Sequence, residues 1–331
     1  MKKIYCLMLA AFALGACQHD VIYEVDYNVT LDKGNTYYAG EPVKFNVSGE
    51  VDNILFYSGE TGHTYKFKDR FHVDSDQIKS ADLKLEVLAN YGTDYGSLEV
   101  WVTDQFEGLT GTDGGKDKAA IEKMVKEGMP GWTKLEYRDE KANNNKWVEF
   151  EFPLNDYMDN MTLAFHWCPP THERTQRTYW IKGAVNIEME GVQPISQTLR
   201  ELGCVKIMMN EEEAPLHNPE NKAGNGTMRL PQPDKDGNWP EQHIIMQGVG
   251  ANGRDYALDG WILTTPQPLN KVANDKGVVI KNLQNYLHTY EYTWNEPGTY
   301  EVVFVGRNEN YASASEQVIK YKITIMERVD E

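Results

Sequence analysis

Apolar and polar residues alternate with a period of two over much of the chain. Val43-Lys44-Phe45-Asn46-Val47, Leu83-Lys84-Leu85-Glu86-Val87, Leu98-Glu99-Val100-Trp101-Val102, Val148-Glu149-Phe150-Glu151-Phe152 and the run Tyr300 to Val305 all follow it. Such a run has one apolar and one polar side only when extended, so each is predicted to be a half-buried strand. Clusters of Gly, Pro, Asn and Asp at 35–42, 91–97 and 295–298 separate the runs and read as turns. One stretch has helical spacing: in Lys116 to Glu127, Ala120, Ile121, Met124 and Val125 share a face, and Gly128 and Pro130 end it. Many short strands with one short helix predict a mostly β chain of tandem β-sandwiches.

Strand spacing divides the chain. Residues 23–103 have the length of a seven-strand sandwich, 104–254 form a second β unit, and 255–328 form a third. Within the second, residues 210–242 are polar and rich in Pro, Asn and Gly, and read as a long loop.

The N-terminus departs from the alternating pattern. Lys2 and Lys3 precede an apolar run from Ile4 to Leu14 that closes on Leu14-Gly15-Ala16-Cys17. A charged start, a short apolar segment and small residues make 1–16 a targeting peptide, and the run is shorter than the roughly 20 residues that span a bilayer. Leu-Gly-Ala-Cys resembles the lipobox of bacterial lipoproteins. The resemblance implies cleavage before Cys17, diacylglycerol on its thiol, and a short tether over 17–22. Cleavage would leave 315 of the 331 residues and, with both lysines gone, take the net charge from −17 to −19. A surface this acidic argues against nucleic acid as a partner. With Cys6 in the leader and Cys17 lipidated, Cys168 and Cys204 remain. They are either a disulfide, which an oxidising compartment permits, or two buried thiols.

Tyr292-Thr293-Trp294-Asn295-Glu296-Pro297-Gly298-Thr299-Tyr300 resembles the penultimate strands of PKD-type immunoglobulin-like domains, in which the Pro-Gly turn enters a central strand and the tyrosine packs at the corner. Gly40-Glu41-Pro42-Val43-Lys44-Phe45 followed by Ile54 to Glu60 is similar to the opening of another such domain. Leu163 to Trp167 with Thr178 to Ile181 resembles the last hairpin of discoidin-like jelly rolls. The whole order resembles an uncharacterised family of Bacteroidetes surface lipoproteins found beside glycan-uptake machinery. That resemblance implies Ig/PKD-like domains at both ends, a jelly-roll-like middle domain, an outer-membrane location facing the exterior, and an importer as a possible partner.

The search for chemistry is largely negative. Gly248-Val249-Gly250-Ala251-Asn252-Gly253 has dinucleotide-fingerprint spacing, but Gly260 and Pro266 follow where a helix is required, so it reads as a loop and no cofactor is expected. His166, Cys168 and His172 are close in sequence, yet lack a second pair at zinc spacing and read as surface residues; no metal is assigned. Asp104, Glu107, Asp113 and Asp117 offer hard oxygens to calcium, in competition with a plain solvated loop. No Gly-x-Ser-x-Gly, His-Glu-x-x-His or Cys-x-x-Cys occurs, so the chain is not expected to be an enzyme.

Aromatic residues carry the remaining signal. Trp101, Trp180 and Trp261 lie in strand patterns and are expected in cores, and Trp294, which abuts the Pro-Gly turn, is expected to cap its sandwich. Trp132, Trp147, Trp167 and Trp239 sit beside Gly, Pro or Asn and are the candidate ligand platforms. Exposed indole faces stack on sugar rings, so the expected function is non-catalytic capture of a polysaccharide or oligosaccharide. A structural or partner-binding lipoprotein is the alternative, and a glycoside hydrolase comes third.

Overall fold

A computed structural model describes residues 22–92, 95–138, 145–169, 175–210, 226–233, 235–237, 243–249 and 257–328. The chain opens with four strands: β1 (Asp26–Leu31), β2 (Thr36–Tyr38), β3 (Pro42–Glu50) and β4 (Asn53–Tyr57). Then come β5 (Ile78–Asn90), β6 (Leu98–Thr103), the helix α1 (Gly114–Lys126), β7 (Thr133–Lys134), β8 (Trp147–Pro153), β9 (Thr162–Trp167) and β10 (Thr178–Met189). Five shorter strands follow: β11 (Ile195–Thr198), β12 (Cys204–Met208), β13 (Thr227–Arg229), β14 (Ile244–Gln247) and β15 (Gly260–Thr264). The last four are β16 (Val278–Lys281), β17 (Thr289–Thr293), β18 (Gly298–Glu309) and β19 (Ala314–Met326). The expected mostly β character holds, and the period-two runs fall in β3, β5, β6, β8 and β18.

The partition differs from the three consecutive sandwiches expected. Residues up to Phe71 join residues from Ala273 onward in one unit, and His72–Val272 make the other. In the first unit a three-stranded sheet, β1-β3-β17, packs on a five-stranded one, β16-β4-β18-β19-β2. Val43, Phe45 and Val47 turn inward from β3, and the Phe304 ring of β18 lies 5.0 Å from Phe45 and 5.1 Å from Phe56. Trp294, expected as a cap on its sandwich, is fully buried in this core, with its Nε1 donating to Ser58 O at 3.2 Å. Tyr300 closes the Pro297-Gly298 turn by donating its hydroxyl to Glu296 O at 2.9 Å. Arg70 and buried Asp275 form an ion pair at 3.2 Å, and Asp275 also accepts the Thr64 N–H.

The second unit also has two sheets. One has the order β13-β14-β10-β5-β8 with β11 added on β10, and the other β12-β15-β9-β6-β7. Leu83, Leu85 and Val87 of β5 meet Val100 of β6 and Phe165 and Trp167 of β9 between them. The expected hairpin between Leu163–Trp167 and Thr178–Ile181 does not form. β9 lies between β15 and β6, while β10 pairs with β5, β14 and β11 in the opposite sheet. Two apolar runs close in sequence can each find a longer ladder elsewhere, and the twelve-residue β10 does so along β5. The helix runs close to its expected span. Asp113 caps it by accepting the Lys116 N–H at 3.1 Å, and Gly128 at φ 81° leaves it. Among the described residues no helix is long and apolar enough to cross a membrane.

The C-terminal segment was expected to be a sandwich of its own. Instead β17 completes a sheet with β3, and β18 completes one with β4. Residues 273–328 expressed alone are expected to give no cooperative thermal transition, because their apolar faces lack Phe45 and Phe56. A sharp unfolding transition of that fragment, followed by circular dichroism, would refute the discontinuous unit.

Candidate functional site

Alternation gives the β12-β15-β9-β6-β7 sheet an outer face. Glu99 and Trp101 of β6, Ala164 and His166 of β9, and Trp261 and Leu263 of β15 point away from the sandwich core, and Glu99, His166 and Trp261 fall in one cross-strand row. Part of this face is covered by α1, whose Ile121 and Met124 pack on Ala164, Trp261 and Leu263.

Beside the helix is a groove of about 320 Å³. Half-buried Phe106 and Trp132 form its apolar wall over Met124, with ring centroids 5.6 Å apart and planes at 56°. Exposed Gln105, Glu107, Lys123 and Glu127 stand at its rim. The loops carrying the two rings are pinned. Asn160 Nδ2 donates to Phe106 O at 2.8 Å, and Thr103 Oγ1 donates to Gly131 O at 2.8 Å. Gly131 has φ 74°, a backbone conformation that glycine adopts without strain, and a Cβ there would displace the Gln105 side chain.

The expected site residues separate. Trp132 and Glu107 meet in the groove. Asp113 caps the helix, and buried Asp117 accepts the Thr110 and Gly111 N–H groups at 2.6 and 2.9 Å, so these two carboxylates hold a turn and a helix start; Asp104 is half-buried at the end of β6. Trp167 is wholly buried and belongs to the core: on β9 it alternates with His166 and faces inward. Trp147, 37% exposed, starts edge strand β8 of the other sheet. Its ring centroid lies 5.0 Å from that of His243, with Lys182 Nζ 4.7 Å from its centre. Cross-strand register aligns Trp147 with Leu88 and Trp180 in an outward row. Cys17, His172 and Trp239 lie outside the described residues.

Cys168 and Cys204 are free thiols, and no disulfide can join them. Cys204 sits opposite Thr264 of β15, whereas Trp167 sits opposite Gly260, which puts Cys168 beyond the far end of that strand. The offset is about five residues, or ~17 Å along the strand, against a Cα separation of at most about 7 Å for a disulfide.

A polar cluster occupies another part of the outer face. His166 Nδ1 lies 3.2 Å from Glu99 Oε2 and Nε2 3.0 Å from Asp259 Oδ1, while its ring stacks on Trp261 at 4.0 Å. Burial opposes charge on this imidazole, but hydrogen bonds to Asp259, Cys168 and Glu99 outweigh it and push its pKa up to about 11. Bonds from His166 and Lys134 hold the Glu99 carboxyl down at about 2 against its partial burial. Glu99 and Asp259 carry no motif and read as the ordinary polar side of strands and turns. Trp101 and Trp180, expected in cores, are only half-buried on outer faces, and Phe106 lies in no periodic run.

A family profile described as Domain of unknown function (DUF5017) matches residues 16–123, under half of the chain. No curated protein matches it. The matched segment contains β1 to β6, the Phe106 loop and most of α1, and stops short of Trp132.

Core and groove tryptophans should separate by stability. Trp167→Ala is expected to cost about 3–5 kcal/mol in denaturant unfolding, and Trp132→Ala about 1–2 kcal/mol. Equal losses would place Trp132 in the core as well.

Proposed function

We propose that this chain is a lipid-anchored, non-catalytic binder of a polysaccharide or its oligosaccharides, and that the groove beside α1 is its ligand site. The observation that carries the reading is the pairing of a half-buried aromatic wall, Phe106 and Trp132, with a rim of Gln105, Glu107, Lys123 and Glu127. A sugar ring has apolar C–H faces and a belt of hydroxyls. Indole and phenyl rings bury the faces, and carboxylates, amide and ammonium bond the hydroxyls. At about 320 Å³ the groove holds one or two sugar units, so binding is weak per site, near −8 to −4 kcal/mol.

In this reading the protein sits at the outer membrane, facing outward through lipid on Cys17, and passes its ligand to an importer. The acidic surface, with net charge −17, suits a neutral or basic ligand and not nucleic acid. The partner-binding alternative has its own support in the first unit. There edge strand β16 presents exposed Val278 and Val279, and Leu283 and Tyr286 nearby are exposed as well, the latter at 93%.

A glycan array probed with the full chain in detergent is expected to return hits whose affinity rises with chain length. Trp132→Ala should weaken them at least about tenfold, equivalent to 1.4 kcal/mol, with Trp147→Ala having a smaller effect. An array without hits, together with loss of a cross-linked partner in Leu283→Ser and Tyr286→Ser, would replace this reading with the partner-binding one.

The anchor is tested separately. Cys17→Ala is expected to leave an unprocessed precursor without lipid, seen by mass spectrometry and fractionation. A variant still processed and still acylated would remove the lipoprotein reading.

A further inference from the structure

We propose that Glu99, His166 and Cys168 form a binding site for a soft divalent cation of the zinc class. The idea is independent of the glycan reading. A carboxylate oxygen of Glu99, a ring nitrogen of His166 and Sγ of Cys168 all lie within 4.8 Å of one another. The backbone sets this arrangement. Glu99 and His166 are direct cross-strand partners on β6 and β9, and Cys168, two residues on, stays on the same face and donates its N–H to Ser97 O at 2.8 Å. Metal–ligand bonds of about 2.0–2.3 Å place tetrahedral donor atoms roughly 3.3–3.8 Å apart. Nδ1 and Oε2 are already 3.2 Å apart, so small rotations of the side chains close the set.

The surroundings match those of a metal-bound histidine. Such a ligand normally gives its other ring N–H to a carboxylate, which fixes the tautomer. Here Asp259 Oδ1 stands 3.0 Å from Nε2 and is itself held by the Trp261 indole N–H at 3.0 Å, with the Trp261 ring stacked under the imidazole. Nδ1 is thereby directed at Glu99, and on binding the ion takes the place of the proton between them and of the Cys168 thiol proton, both of which pass to solvent. Lys134 pairs with the other oxygen of Glu99, Oε1, and Oε2, which accepts the Trp101 indole N–H at 3.3 Å, turns its remaining lone pair to the metal. With a thiolate, two carboxylates and Lys134 in place, a divalent ion brings the cluster to neutrality. Sulfur and nitrogen donors select zinc over calcium or magnesium. All three ligands are partly exposed, which gives the ion a path in and leaves a fourth position to solvent.

The test uses the full chain and two metals. Co²⁺ should produce a thiolate-to-cobalt charge-transfer band and intense visible bands of tetrahedral coordination at one equivalent, and Cys168→Ser should abolish the former. Zn²⁺ affinity, measured by competition with a chromophoric chelator, should fall more than about 100-fold in Cys168→Ser and about 10–100-fold in Asp259→Asn. Cys204→Ser should change neither, because that thiol is directed to Leu199 O at 3.4 Å. Each variant is checked for a wild-type melting curve without metal. The proposal is overturned if wild type shows no thiolate band with Co²⁺, if Cys168→Ser binds Zn²⁺ as wild type does, or if Cys204→Ser removes the band.

Discussion

The ladders that join β3 to β17 and β4 to β18 carry the architecture. Thr289 pairs with Asn46, and Val303 with Tyr57, so each ladder closes a loop of more than 200 residues. Loop-closure cost grows only slowly with length, and much of the intervening chain folds as a sandwich with its own core. The aromatic contacts among Phe45, Phe56, Tyr290 and Phe304 then reward closure. Arg70 and Asp275 fix the two points at which the chain leaves and rejoins the unit. Pairings this distant in sequence make for high contact order, and the discontinuous unit is expected to complete its folding after the continuous one.

The second consequence of strand geometry is the site. Successive residues of β9 serve opposite faces: Phe165 and Trp167 fill the core, and Ala164 and His166 face α1 and the polar cluster. A one-residue slip would exchange them, burying His166 and exposing Trp167, so the core itself fixes the position of the outer cluster. The helix covers one part of that face, the polar cluster lies on another, and the aromatic groove forms at the helix's edge. The proposed sugar site and the proposed metal site therefore share a rigid support, the kind of scaffold that holds binding groups in place without a ligand present.

The two proposed sites differ in what they ask of their residues. The groove offers broad, shallow contact through Phe106 and Trp132, which suits a ligand recognised by repetition along a chain. The cluster of Glu99, His166 and Cys168 offers three unlike donors with the imidazole held in one orientation by Asp259, which suits a single ion. Neither depends on the other's chemistry, although Trp101 and Trp132 both pack against the apolar layer that seats α1.

Much of the local structure was legible in the sequence. Period-two alternation marked β3, β5, β6, β8 and β18 because a half-buried strand must put every second side chain in water, and the apolar spacing within Lys116 to Glu127, with Gly128 beyond it, marked α1. Tyr300 at its Pro-Gly turn was also readable, since the bond to Glu296 O is local. Partnership was not readable. Alternation states that a strand has an apolar side without naming the strand that covers it, so the nesting of one unit within the other, the separation of β9 from β10 and the distance between Cys168 and Cys204 were decided only by the ladders. The same limit applied to the tryptophans. Flanking Gly, Pro or Asn suggested exposure for Trp167, which β6 and β15 enclose, and strand context suggested burial for Trp101, whose side of β6 faces outward. Composition and period determined which residues could face water; the long-range pairing of strands, a cooperative property of the whole chain, determined which of them do.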